Sequence, residues 1–81
     1  MSATIAWTKG GTATVVTLAD DAITLRSSVP SPPGSRIEGA TPEGDAVRVK
    51  VHSSKKQDHG AFVIEGRVLD MTRALREKLG R

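Results

Sequence analysis

Cysteine is absent from this sequence of 81 residues. Its absence excludes a disulfide framework and any metal site built from thiolates, and it is compatible with a reducing compartment. The two histidines, His52 and His59, are too few to hold a metal ion unless carboxylates complete the coordination. We therefore expect a cytoplasmic protein with no metal and no other cofactor.

Long hydrophobic runs are also missing. No apolar stretch approaches the ~18 residues of a membrane-spanning helix. The first residues have neither the basic start nor the apolar centre of a signal peptide. We expect a single soluble domain over residues 1–81, with no membrane insertion.

Aromatic residues are scarce, because Trp7 and Phe62 are the only ones. The 12 Lys and Arg residues outnumber the 9 Asp and Glu residues, so the chain is mildly basic. Proteins that bind single-stranded nucleic acid usually combine a basic stripe with aromatic side chains that stack on bases. The composition therefore favours a solvated basic surface over a nucleic-acid site.

The hydrophobic pattern predicts six short strands that form an antiparallel β-barrel. Gly10-Gly11 and Asp20-Asp21 are turn signals between apolar runs, and three prolines with Gly34 exclude the segment 29–35 from a sheet. The predicted strands cover 4–9, 12–18, 22–28, about 36–40, 46–53 and 61–69.

Alternation along these strands predicts the core. In 46–53 the residues Val47, Val49 and Val51 alternate with the polar residues Arg48, Lys50 and His52, so one face is buried and the other is wet. The expected core consists of Ile23, Leu25, Val47, Val49, Val51, Phe62, Ile64 and Val68, with Leu75 packed on it.

The last third of the sequence contains a polar segment and a predicted helix. The run 53–60, "SSKKQDHG", contains no apolar residue, so we expect an exposed and mobile connection. Asp70 is predicted to cap a helix of about 70–79, which follows a barrel of about 3–69. Met71, Leu75 and Leu79 form an apolar stripe on that helix. The stripe suits a partner-binding face as well, but packing on the barrel is favoured in a chain short of core.

The order of these segments resembles the PilZ domain family. "VVTLADDAITLRSSVPSPPGSRI" has an apolar strand, a polar turn, a strand of the "GIxLxS" type and a bend with Pro32-Pro33-Gly34. The later run "GAFVIEGRVLDMTRALREKL" is similar to the family's closing strand "FxIGxRFxDL" and its helix. The similarity covers roughly residues 13–79. It implies a six-stranded barrel with one C-terminal helix, and a bacterial receptor domain for cyclic di-GMP.

The family's first ligand motif has no counterpart here. It is an Arg-x-x-x-Arg segment ahead of the barrel, whose guanidinium groups hold guanines and phosphates through charge-assisted hydrogen bonds. Before Arg26, the only basic residue in this chain is Lys9. The resemblance therefore implies a domain without its main ligand-binding arginines.

The second motif is degenerate. Its pattern, Asp or Asn, x, Ser, x, x, Gly, aligns with residues 17–22, where Thr17, Ala19 and Ala22 replace the acceptor, the hydroxyl and the glycine. Asp20-Asp21 adds two negative charges where phosphates would lie. The segment keeps the strand-turn-strand frame and lacks the ligand chemistry.

Catalysis is not expected. Asp20 and Asp21 are adjacent and point apart, whereas carboxylates in acid/base chemistry must converge on a cleft. His52 and His59 have no nucleophile or carboxylate partner placed by spacing. Gly10-Gly11 is no phosphate loop, since no helix follows it.

Three functions remain open. The first is a PilZ-like adaptor that contacts another protein, with Arg48, Lys50 and Arg67 as the candidate partner surface. The second is a small basic barrel that binds nucleic acid or another anionic ligand. The third is a cyclic di-GMP receptor with an atypical binding mode. By family analogy, motility, attachment or exopolysaccharide control are natural settings.

Overall fold

The computed structural model describes residues 3–70 and 72–79. Within them the chain forms a closed antiparallel barrel with the strand order β1-β2-β3-β6-β5-β4, followed by one short helix. The predicted fold class is therefore confirmed. The elements are β1 (Thr4–Trp7), β2 (Thr12–Ala19), β3 (Ala22–Ser27), β4 (Arg36–Ala40), β5 (Ala46–Lys56), a 3-10 turn (Asp58–Gly60), β6 (Phe62–Leu69) and α1 (Arg73–Leu79).

The core fills the inside of the barrel with aliphatic side chains from every strand. All of its predicted members except Phe62 are buried. The core also contains residues that were not predicted: Ile5, Trp7, Ala13, Val15, Ile37 and Leu79. Because successive side chains of a strand point to opposite faces, the alternation in the sequence was sufficient to predict most of this set.

The prediction that Phe62 lies in the core is wrong. Phe62 is the first residue of β6 and is only half-buried, because β3 and β5 end beside it at Ser27 and Lys56. The aromatic side chain inside the barrel is that of Trp7, which is 4% exposed.

The prediction that residues 53–60 form a connection between strands is wrong for its first half, residues 53–56. Strand β5 continues to Lys56 and pairs with β6, with Lys56 opposite Phe62. A bulge between Val51 and Ser53 allows the polar half of the strand to continue the ladder. Backbone pairing stabilises this segment. The prediction considered only the lack of apolar residues, which does not prevent such pairing.

The helix begins later than predicted, at Arg73. Asp70 is exposed and has a φ of 53°, and it does not cap the helix. The cap is Thr72, whose Oγ1 accepts a hydrogen bond of 3.1 Å from the backbone N–H of Leu75. Leu75 and Leu79 are buried, so this part of the stripe packs on the barrel. The predicted stripe residue Met71 lies outside the described residues.

Gly66 permits close contact between strands β5 and β6. A Cβ atom at this position would collide with the backbone carbonyl oxygen of Lys50 and lie 3.0 Å from Cγ1 of Val49. A glycine in a strand often marks such a close approach of another backbone, and here it lies within the longest described ladder of the barrel.

No helix among the described residues is long and apolar enough to span a membrane.

Candidate functional site

An open groove of about 260 Å³ lies on the outside of the barrel, across β2, β3, β6 and β5. The three degenerate ligand-motif positions, Thr17, Ala19 and Ala22, all line it. The three positions therefore lie together on the wall of one concavity. The remaining lining residues are Ile23, Thr24, His52, Glu65 and Gly66.

Two β-bulges shape this groove. Val16 is an extra residue between Val15 and Thr17, so the strand reverses its faces: Val15 is buried, whereas Thr17 points outward. Val16 itself is 51% exposed. The second bulge, at His52, brings the imidazole to the opposite wall. Neither bulge was predicted, because Val16 lies in a β-branched run and His52 is followed by polar residues, so neither insertion interrupts an apolar alternation.

The electrostatics of the groove do not favour an anion. Its described lining contains the exposed carboxylate of Glu65 and no lysine or arginine. The nearest cation by register is Arg67, directly opposite Ala22. Its Nε lies 3.1 Å from Oδ2 of Asp21, so the guanidinium group of Arg67 is already ion-paired with a carboxylate.

The Asp20-Asp21 turn connects β2 to β3, as predicted. Asp20 has a left-handed backbone with a φ of 54°. Asp21 accepts a hydrogen bond of 2.8 Å at its carbonyl from Val68 N–H, and its carboxylate pairs with Arg67. These contacts give Asp21 a structural role in joining the turn to β6.

The candidate partner residues Arg48, Lys50 and Arg67 lie on one exposed face of β5 and β6. Their environments differ. Arg48 lies 3.4 Å from Oε1 of Glu38 and 3.6 Å from Oδ2 of Asp70, so its charge is shared between two carboxylates. Lys50 is directly opposite Arg67 and has no ion-pair partner among the described residues.

Arg36 was not predicted as a site residue, and the structure places it beside Lys50. The ladder pairs Arg36 of β4 with Lys50 of β5, and Lys50 with Arg67 of β6. We call these three residues the basic row. Like Lys50, Arg36 is exposed and has no described ion-pair partner. Only the register of three strands reveals the row, since its members are far apart in the sequence.

A second groove adjoins the basic row. It measures about 280 Å³, and Lys9 and Arg36 supply its cations. Glu38 also lines it, although the carboxylate of Glu38 is paired with Arg48. The exposed cation of Lys9 thus lies next to the end of the row, and the positive surface continues past β4.

The described residues contain no group of three or more His, Cys, Asp and Glu side chains that could hold a metal ion. His52 lines the outer groove, whereas His59 lies in the 3-10 turn beside a different concavity with Arg26, Gln57 and Ala61. The two histidines therefore belong to separate places on the surface.

No family model, curated protein or solved structure matches this chain. The PilZ-like character stays a prediction that depends on the residues quoted above.

Proposed function

We propose that this chain is a cytoplasmic, PilZ-like adaptor domain without enzymatic activity, which acts by contacting another protein and does not bind cyclic di-GMP. One observation carries the proposal. Arg36 and Lys50, neither of which has an ion-pair partner among the described residues, lie side by side on the outer sheet surface, and the groove at the ligand-motif positions contains no lysine or arginine.

The composition of the groove supports the lack of nucleotide binding. A cyclic dinucleotide carries two phosphates, and Glu65 places a carboxylate at the groove while Asp21 already holds Arg67. Each missing arginine removes a charge-assisted hydrogen bond of about 1.5–3 kcal/mol. The loss of two such bonds and of the hydroxyl at Ala19 weakens binding by several powers of ten, because about 1.4 kcal/mol is tenfold.

The shape of the basic surface supports a macromolecular partner. Small-ligand sites are concave and bury most of the ligand. The basic row instead lies across the outer faces of three neighbouring strands, with all of its side chains exposed. Such a surface suits the polar rim of a protein–protein contact, where complementary charge gives specificity and fast association.

A second candidate function, binding of nucleic acid or another anionic ligand, draws on the same basic row. It lacks an exposed aromatic side chain beside the row on which bases would stack, because Trp7 is buried and Phe62 belongs to the far end of β6. The adaptor function is therefore favoured.

Amide chemical shifts of isotope-labelled protein, recorded during titration with cyclic di-GMP, test the nucleotide part of the proposal. We expect no saturable change at concentrations up to about 100 μM, where a micromolar site would be nearly filled. Saturable shifts at Thr17, Ala19 and Ala22 would return the protein to the receptor class.

A gain-of-function variant tests the family assignment separately. It combines an added Arg-x-x-x-Arg segment ahead of Thr4 with Thr17→Asp, Ala19→Ser and Ala22→Gly. If the frame is PilZ-like, the folded variant binds cyclic di-GMP measurably. The matched control has the same three substitutions and an Ala-x-x-x-Ala segment, and we expect it to remain inactive. A folded arginine variant without binding would contradict the PilZ-like frame.

Affinity capture tests the adaptor part. Immobilised domain is exposed to a nuclease-treated lysate of the source cells, beside the variant Arg36→Glu/Lys50→Glu. We expect a specific protein to be retained by the native domain. Retention of nucleic acid alone before nuclease treatment, and of no protein after it, would favour the second candidate function.

A further inference from the structure

We propose that the basic row docks an acidic helix of the partner protein, with carboxylates on one helix face at i and i+4. This inference depends on the proposed adaptor function and specifies the chemistry of its partner. The surface consists of Arg36, Lys50 and Arg67, with Lys9 at its end.

The arrangement of charges in the row is unfavourable for the isolated domain. Arg36 faces Lys50, and Lys50 faces Arg67, and like charges directly opposite each other destabilise a sheet. Two residues further along β4 and β5 the arrangement is opposite, because Glu38 faces Arg48 and forms an ion pair of 3.4 Å with it. The barrel therefore pairs Arg48 with a carboxylate, whereas in the basic row only Arg67 is paired, with Asp21. Arg36 and Lys50 stay positive, which is the pattern expected where a negative partner supplies the missing charge.

The spacing of the row fits a helix better than an extended peptide. Directly opposite residues of antiparallel strands have Cα atoms about 4.5–5.5 Å apart. Residues at i and i+4 of a helix have Cβ atoms about 5–6 Å apart. Same-face residues of an extended chain are about 6.6 Å apart, twice the rise per residue. A helix lying across β4, β5 and β6 would present one carboxylate to each of the unpaired cations Arg36 and Lys50, and a third to Arg67, where it would join the carboxylate of Asp21.

Single-stranded nucleic acid fits the surface less well, for a reason of position. Phe62 is the half-buried aromatic residue of β6, five positions before Arg67, which corresponds to about 17 Å along the strand. No aromatic side chain of the described residues therefore lies where a base bound beside the row would stack. Phosphate contacts alone would give weak binding with a steep salt dependence.

Two synthetic helical peptides of equal composition test the proposal. The first has glutamates at i, i+4 and i+8 in an alanine background, and the second distributes the same glutamates around the helix. Both carry the same side-chain staple so that their helicity is equal. Calorimetry at about 50 mM salt keeps the charges weakly screened. We expect the one-face peptide to bind about tenfold more tightly than the distributed peptide.

Charge reversal locates the site. Arg36→Glu/Lys50→Glu should weaken the one-face peptide about tenfold or more. The control is Arg26→Glu/Lys55→Glu, which reverses two exposed cations outside the row and produces the same net charge. We expect the control to stay within about threefold of the native affinity. Circular dichroism confirms that each variant remains folded.

Several outcomes would overturn the inference. Equal binding of the two peptides would show that the surface recognises net charge alone and not the arrangement of carboxylates on one helix face. Equal weakening by the two double variants would remove the row as the site. Tighter binding of an oligothymidine than of the one-face peptide would favour nucleic acid. If the peptides fail while affinity capture still retains a protein on Arg36→Glu/Lys50→Glu, the docking surface is wrong and the adaptor function stands.

Discussion

The indole N–H of Trp7 donates a hydrogen bond of 3.0 Å to Oγ of Ser27, across the inside of the barrel. Both side chains are buried, at 4% and 1% exposure. The Ser27 hydroxyl donates in turn to the carbonyl oxygen of Val29 at 2.7 Å and accepts from Val29 N–H at 3.2 Å. One hydroxyl thus joins β1, the end of β3 and the start of the proline-rich segment.

Ser27→Ala should destabilise the domain by about 1–3 kcal/mol, because the buried N–H of Trp7 loses its acceptor. The free energy of unfolding from urea titrations gives the measurement. Ser28→Ala is the matched control, since Ser28 is exposed and water can replace its bond with the N–H of Thr12. Equal effects of the two substitutions would contradict the importance of burial at Ser27.

Trp7→Ala should cost more stability than Phe62→Ala. The Trp7 side chain fills the barrel beside Gly39, where an added Cβ would lie 2.8 Å from Cε3 of Trp7. Its removal leaves a cavity, and truncation of a buried aromatic typically costs about 3–5 kcal/mol. Phe62 is half-buried at the strand end and loses less contact. A larger loss of urea midpoint for Phe62→Ala would instead support the core position predicted from the sequence.

Gly66→Ala should destabilise the domain by about 1–3 kcal/mol, because the added methyl group overpacks the contact between β5 and β6. The new methyl group would meet the carbonyl oxygen of Lys50, which belongs to the backbone and cannot rotate away. Thermal unfolding followed by circular dichroism measures the change. Glu65→Ala, at the exposed neighbouring position, serves as the control and should leave the melting temperature nearly unchanged. A native melting temperature for Gly66→Ala would mean that β5 and β6 separate easily.

Lys50→Glu should stabilise the free domain by about 0.2–1 kcal/mol, because it places a carboxylate between Arg36 and Arg67. Lys55→Glu is the control on the same strand, where the β6 partner is the apolar Val63. Urea titration at low salt compares the two, and high salt should remove the gain. If Lys50→Glu also weakens the one-face peptide, the row trades stability for binding. A loss of stability would show that the like charges of the row do not repel measurably.

Much of the fold followed from local patterns. The turns at Gly10-Gly11 and Asp20-Asp21 and the bend at Gly34 were predicted, because turn chemistry acts within a few residues. The polar half of β5 was missed, because its order comes from pairing with β6 and leaves no apolar signal in the sequence. The sequence predicted Asp70 as the helix cap, but the cap is Thr72. The carboxylate of Asp70 instead forms an ion pair with Arg48.

The candidate site shows the same division. The prediction that Thr17, Ala19 and Ala22 lack the residues of the PilZ ligand motif could be made from the sequence, since it depends only on residue type. It could not indicate that Arg36 lies beside Lys50, because the two residues belong to different strands and meet only through the register of the barrel.

The sequence by itself determined which residues face inward within each uninterrupted strand, because side chains alternate with a period of two and the apolar ones must leave water. Only the tertiary structure decided the bulges at Val16 and His52 and the alignment of the basic row. A slip of one residue in any ladder would turn these side chains to the other face, and closure of the six strands selects the single register that buries the core.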